Sequence, residues 1–158
     1  MATTEIDTTP MELAIAASAS ALEAGNMPFG AVLVDQEGQV LMVAQNNQNT
    51  QHDCTGHAEL VLVRQASERL GPQSLRGNTV YASGEPCAMC CGALFWAGVG
   101  RVVFAATQDD IAQALGGPLL PISSHTVLAQ TQPAVQVDGP FMAQAAIAVL
   151  KRFPLAME

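Results

Sequence analysis

The chain has 158 residues, of which 49% are hydrophobic and 13% charged, a composition that fits one compact globular domain over residues 1–158. Its 14 acidic and 6 basic residues give a formal net charge of -8, and the cations do not cluster: Arg64, Arg69, Arg76 and Arg101 are scattered, with only Lys151 and Arg152 adjacent. Such a surface repels phosphate backbones, so nucleic acid is disfavoured as a partner. Residues 1–10 carry no basic and apolar secretory pattern, and no uncharged apolar run is long enough to span a bilayer, so a soluble protein with no membrane partner is expected. Three of the four cysteines fall within Cys87 to Cys91, a spacing that suits metal or redox chemistry in a reducing cytoplasm better than a disulfide framework.

Thr9-Pro10-Met11-Glu12 has the capping-box pattern and predicts an alanine-rich helix that runs to Glu23 and stops near Gly25. Residues 29–35 and 40–45 read as strands joined by a turn at Glu37-Gly38. A polar loop over 46–53 follows. A second helix is expected from near His57 to Leu70, where Gly71-Pro72 stops it. Strand 78–83 then leads through Gly84-Glu85-Pro86 into a helix from Cys87 to Ala97, and strand 101–106 closes a crossover unit with a parallel pair. A short helix over 109–115, a loop over 116–124, a strand over 134–137 and a closing helix over 141–152 complete the chain. Together these predict an α/β domain of three layers, helices on both faces of a mixed sheet of about five strands.

Four residues carry the chemistry: His57 and Glu59 in T-G-H-A-E-L, and Cys87 and Cys90 in E-P-C-A-M-C. One imidazole and two thiolates hold a zinc ion and leave its fourth tetrahedral position for water, while a carboxylate that is not a ligand moves that water's protons. Cys87 and Cys90 are three apart on a helix and so share a face. Both ligand pairs fall at helix N-termini, where unpaired N–H groups favour thiolate and a developing anion. Because two residues turn a helix by roughly 200°, His57 and Glu59 reach one point only if the metal sits off the end of the helix.

Two plainer readings compete, a structural zinc closed by a fourth ligand and a C-x-x-C redox pair. Cys54 or Cys91 would have to supply that fourth ligand. Against the first, structural sites normally close with four protein ligands; against the second, Pro86 precedes the pair and His57-Ala58-Glu59 supplies an acid/base partner. The expected reaction is hydrolysis of an amino group from an amidine carbon, with Glu59 shuttling the protons and ammonia leaving.

The H-x-E…P-C-x-x-C pattern is the signature of zinc nucleobase deaminases, and over about Met11 to Ala106 the chain resembles the cytidine and deoxycytidylate deaminase superfamily. The branch is that of guanine deaminase, cytosine deaminase and tRNA adenosine deaminase. Met27 to Val34 resembles the family's first strand, and Ala44-Gln45-Asn46 the segment whose asparagine binds the base. The resemblance implies a cytidine deaminase-like fold, a zinc cofactor on His57, Cys87 and Cys90, and Glu59 as catalyst. It makes Asn46, Phe29, the backbone N–H of Ala58 and Trp96 candidate substrate-binding residues, although aromatics in apolar runs are often core. It also implies a homodimer near the apolar helix that carries Trp96.

Relatives that take guanine tend to carry an acidic residue after the fourth strand, whereas this chain has no Asp or Glu from Ile111 through Val137. Asp109 and Asp110 are the nearest substitutes. A smaller free base such as cytosine or isocytosine is therefore favoured over guanine. The alternatives are a tRNA adenosine deaminase, which calls for a basic surface this chain lacks, and a catalytically inactive zinc-stabilised binding module. His52 and His125 are expected to be loop histidines, and Phe153 is a candidate lid over the base.

Overall fold

A computed structural model describes residues 7–154. In chain order the elements are α1 (Thr9–Glu23), β1 (Gly30–Val34), β2 (Val40–Gln45), α2 (Gln48–Gln51), α3 (Ala58–Leu70), a 3-10 turn (Pro72–Ser74), β3 (Thr79–Gly84), α4 (Ala88–Trp96), β4 (Arg101–Ala106), α5 (Gln108–Leu115), α6 (Ser124–Leu128), β5 (Gln136–Asp138) and α7 (Ala143–Leu150). The five strands form one mixed sheet in the order β2-β1-β3-β4-β5. β1 runs antiparallel to β2 and β3, while β3, β4 and β5 are parallel.

β1 is buried along its whole length, and the period-2 alternation of its side chains divides the hydrophobic interior in two. Ala31 and Leu33 face a core completed by Val61 and Leu62 of α3, Leu94 of α4 and Leu128 of α6. Val32 and Val34 face a second core that contains Met11 and Ala14 of α1 and Ala146 and Leu150 of α7. Helices thus cover both faces of the sheet. Met11, Leu33, Leu62 and Leu94 are fully buried, and each such burial contributes roughly 1.5–3 kcal/mol.

The approach of α1 to β1 depends on Gly30. A Cβ there would overlap the Ala14 carbonyl oxygen and lie 2.7 Å from Ala17 Cβ and 2.8 Å from the Ser18 nitrogen. Because the obstacles are helix backbone, Gly30→Ala is expected to cost about 1–3 kcal/mol through displacement of α1. The urea midpoint measures this, and an unchanged midpoint would contradict the described seating of α1.

Several boundaries differ from the sequence expectation for identifiable reasons. The cap of α1 is Thr8, one residue earlier than the capping-box pattern suggests, and it makes no side-chain hydrogen bond to the helix backbone. Its Oγ1 instead donates to Glu12 Oε1 at 2.6 Å. α2 occupies a segment read as a loop, and α6 begins at the last residue of another and continues through residues given no element; both are too short to show a hydrophobic period. Ser123 starts α6 by accepting from the Thr126 N–H at 3.1 Å. β5 begins at Gln136 rather than residue 134, in register with Arg101, whose Nε donates to Asp138 Oδ2 at 2.8 Å.

Candidate active site

The parallel strands β3 and β4 end on the same side of the sheet, and β3 passes through Glu85 and Pro86 into α4. Cys87 is the extended N-cap of α4, and Cys90 lies one turn into the helix. α3 packs beside α4 with its own N-cap, His57, also in an extended conformation. Two helix N-termini therefore meet, and the ligand atoms project beyond their ends. His57 Nδ1 is 3.4 Å from Cys90 Sγ and 3.7 Å from Cys87 Sγ.

A zinc ion bound tetrahedrally at ~2.3 Å from sulfur and ~2.0–2.1 Å from nitrogen requires N···S edges of roughly 3.6 Å. The donor set fits that ion in chemistry and in spacing. Among the described residues, His57, Cys87 and Cys90 alone form such a group, all their ligand atoms lying within 4.8 Å of one another. Cys54 is exposed, and Cys91 is buried with its thiol directed to the Pro86 carbonyl at 3.5 Å. Neither joins the cluster, so the fourth position stays free of protein ligands.

Glu59 stands in the first turn of α3, 5% exposed and outside the ligand group. Burial pushes its carboxyl up to about 7, against the opposing effect of the neighbouring Cys90 thiol. That value suits a group that accepts and returns a proton near neutrality. Between the thiols, Cys87 is held down to about 4, first by a hydrogen bond from Cys90 and then by His57, while Cys90 is pushed up by Cys87 and by burial. Zinc binds both sulfurs as thiolates, so metal binding would release their protons. Cys91 is pushed up to about 12, chiefly by burial, the state of an inert core thiol.

The cluster opens into a cavity of about 630 Å³, within the ordinary range for small-molecule sites. His57, Glu59 and Cys87 form its reactive end, Met27, Phe29, Ile111 and Leu115 its apolar walls, and Leu119, Leu120 and Phe153 its rim. A Cβ on Gly84 would lie 2.7 Å from the Phe29 ring and 3.0 Å from Ile111 Cδ1, so the absence of a side chain there keeps both walls in place. Ala58 is fully buried at the first position of α3, where the helix itself supplies no acceptor for its N–H.

Two expected substrate contacts lie elsewhere. Trp96 ends α4 and is 83% exposed, packed edge-on against Phe95 and outside the cavity of its own chain. The family resemblance made Trp96 a candidate substrate contact, and in this chain it is neither core nor cavity wall but exposed at the helix end. Asn46 is buried behind the wall at 1% exposure, with both ends of its amide engaged by Gln48. Asp109 is exposed on α5, and Asp110 closes a capping box with Thr107.

Gln48, Glu85 and Gln108 line the cavity without having been singled out in the sequence. Glu85 Oε1 accepts from the Gln108 backbone N–H at 3.0 Å, and Oε2 accepts from the Ser124 N–H at 2.9 Å and its hydroxyl at 2.7 Å. This one carboxylate joins the ligand loop to the starts of α5 and α6. Its signal in the sequence was only an acidic residue before Pro86. Glu85→Gln turns an amide N–H₂ toward a backbone N–H, which can only donate, at an expected cost of about 1–3 kcal/mol. The thermal midpoint of the zinc-loaded protein measures the change, and an unaltered midpoint would contradict the clamp.

A mixed five-stranded sheet sandwiched by helices, with an open His-Cys-Cys site at two helix ends, defines a class of zinc hydrolases. The family model for the cytidine and deoxycytidylate deaminase zinc-binding region matches residues 4–106, and the chain belongs to that family. A probable cytosine deaminase of Schizosaccharomyces pombe is 34% identical over 160 residues, covering 97% of each chain. A tRNA-specific adenosine deaminase of Agrobacterium fabrum is 40% identical over 99 residues, 63% of this chain and 64% of the relative. The crystal structure of guanine deaminase from Bacillus subtilis superposes with a TM-score of 0.64 at 38% identity, covering 70% of each chain. The fold and the zinc cofactor expected from the sequence are those of this family. No helix among the described residues is long and apolar enough to cross a membrane.

Proposed function

We propose that the protein is a zinc-dependent hydrolase that removes the amino group of a free nucleobase of the cytosine or isocytosine type and releases ammonia. The observation that carries this is the three-ligand cluster with a buried carboxylate beside it, open to a small apolar cavity. A structural zinc would be closed by a fourth protein ligand.

When bound, zinc supplies a nucleophilic water at neutral pH. Every other task falls to the chain. Glu59 takes a proton from the attacking water and delivers it to the ring nitrogen next to the attacked carbon. It then carries the second proton to the departing amine, so that the C–N bond breaks and ammonia leaves. The first N–H groups of α3 and α4 favour the negative charge that builds at the reacting centre. Phe29, Ile111 and Leu115 exclude bulk water and hold a flat ring by its faces.

The choice of a small free base follows from the cavity and from charge. No Lys or Arg among the described residues lines the cavity. Three of the six cations are paired with carboxylates, Arg64 with Asp53, Arg101 with Asp138 and Arg152 with Glu23. Neither arrangement favours a polyanion. Of the two carboxylates that line the cavity among the described residues, Glu59 serves the reaction and Glu85 is occupied by three donors, which leaves neither of them to bind the N–H edge of a purine. The probable cytosine deaminase also matches over nearly the whole chain, including the segments that form the cavity wall.

A panel of cytosine, isocytosine, guanine, adenine and a tRNA anticodon stem-loop tests the assignment by ammonia release. Release from a pyrimidine is expected. Turnover of the stem-loop alone would replace this assignment with tRNA adenosine deamination, the alternative supported by the relative of that activity.

A further inference from the structure

The cavity is larger than the base it would hold. A pyrimidine has about eight non-hydrogen atoms, and even at the ~30 Å³ that a water molecule takes up in the liquid for each of them, it fills no more than ~240 Å³. The cavity measures about 630 Å³. More than half of it therefore lies beyond a ring seated against the metal ligands and Glu59. That outer part is walled by Met89 and by the rim residues Leu119, Leu120 and Phe153.

Among the described residues the lining includes no Lys, Arg, Ser, Thr, Asn or Tyr. A phosphate would meet no cation there, and the hydroxyls of a sugar would be desolvated against leucine and methionine. The outer wall is also built in advance. Gln108 Nε2 donates to the Ile122 carbonyl at 2.8 Å and to the Pro86 carbonyl at 3.3 Å, and Glu85 holds the Ser124 N–H and hydroxyl. At the other end of the segment the Gly116 N–H donates to the Ala112 carbonyl at 2.9 Å. Leu119 and Leu120, 61% and 52% exposed, are thus carried on a segment anchored at both ends, an apolar surface held at the mouth before any ligand arrives.

Resting on the free-base assignment above, we infer that the outer chamber is a subsite for a hydrocarbon substituent, so that the preferred substrate is an aminopyrimidinone bearing an uncharged apolar arm. The attacked carbon faces the metal ligands, and an arm on the ring atom opposite that carbon points to the mouth. In cytosine that atom is N1. Each methylene moved from water onto Met89, Leu119, Leu120 and Phe153 strengthens binding of the substituted base by roughly 3- to 4-fold. The reaction itself is unchanged: water replaces the amino group and ammonia leaves.

The test compares kcat/KM of the zinc-loaded protein for isocytosine, cytosine, the N1-methyl, ethyl, propyl and butyl derivatives of cytosine, and cytidine, whose sugar occupies the same ring position. A rise of about 3-fold per methylene is expected, which puts the butyl compound ~30- to 100-fold above cytosine and at least ~10-fold above cytidine. In the double variant Leu119→Ser/Leu120→Ser, matched for zinc content, the ratio of butyl compound to cytosine should fall below ~10-fold. A flat or falling series from a protein active on cytosine or isocytosine overturns the subsite and leaves the free-base assignment standing. Cytidine turned over faster than the butyl compound overturns it as well, and so does an unchanged ratio in the double variant. A wild type that releases ammonia from none of these compounds removes the free-base assignment and this inference with it.

Discussion

Glu59→Gln is expected to keep one zinc per chain and lose ~10²- to 10⁴-fold or more in turnover. The side chain is buried and lies outside the ligand cluster, so the amide fits the same space without touching the metal site. What disappears is the ability to take a proton from water and return it to the ring and the amine. Because one carboxylate serves every proton transfer, no second group in the cavity takes over. Glu85 is the other acid in the lining, and three donors already occupy its oxygens. Metal analysis and ammonia release on the same sample measure the effect, and near-normal turnover in the zinc-loaded variant would remove Glu59 from the mechanism.

Cys90→Ser is expected to abolish stable zinc binding. Cys90 is fully buried, and its Sγ makes the 3.4 Å edge of the cluster. A hydroxyl there is a shorter, harder and protonated donor. Loss of a partner that only orients a ligand weakens metal sites by about 10- to 100-fold, so loss of the ligand itself should exceed that. The fold feels the change through linkage: zinc at ~100 times its dissociation constant stabilises the native state by ~2.7 kcal/mol, a rise of roughly 5–10 °C in thermal midpoint for a chain of this size. Wild type should show that rise on zinc addition and lose it to a chelator. The serine variant should show neither, and an equal rise in the variant would contradict the assignment of Cys90.

The parts of this site that were legible in the sequence are those whose chemistry depends on residue type and local spacing. C-x-x-C within one helical turn and H-x-E at a helix start leave few ways to be arranged, and the structure brings His57, Cys87 and Cys90 together with Glu59 beside them. The sheet was legible for a similar reason: 40–44 and 102–106 are continuous apolar stretches within strands bounded by clear turn residues. What escaped the sequence depends on tertiary contact. Glu85 was not singled out because its three donors come from residues 23 and 39 positions away. Trp96 shows the same limit, since an apolar helix does not reveal which of its faces meets substrate.

The cavity rim carries a related lesson. Gly116 and Gly117 both adopt positive φ, and they turn the chain so that Leu119 and Leu120 stand at the mouth beside Phe153. Phe153 is among the lining residues, while residues 155–158 lie outside the described part of the chain. The second part of the rim came from the loop after α5, where the sequence offered only glycines, prolines and isolated leucines.

The most direct test of the central claim is a zinc titration of the metal-free protein with ammonia release from cytosine and isocytosine as the readout. Activity should rise linearly and stop at one zinc per chain, as a single three-ligand catalytic site requires. Equal activity without metal, or a fully zinc-loaded protein that releases no ammonia from either base, would contradict it.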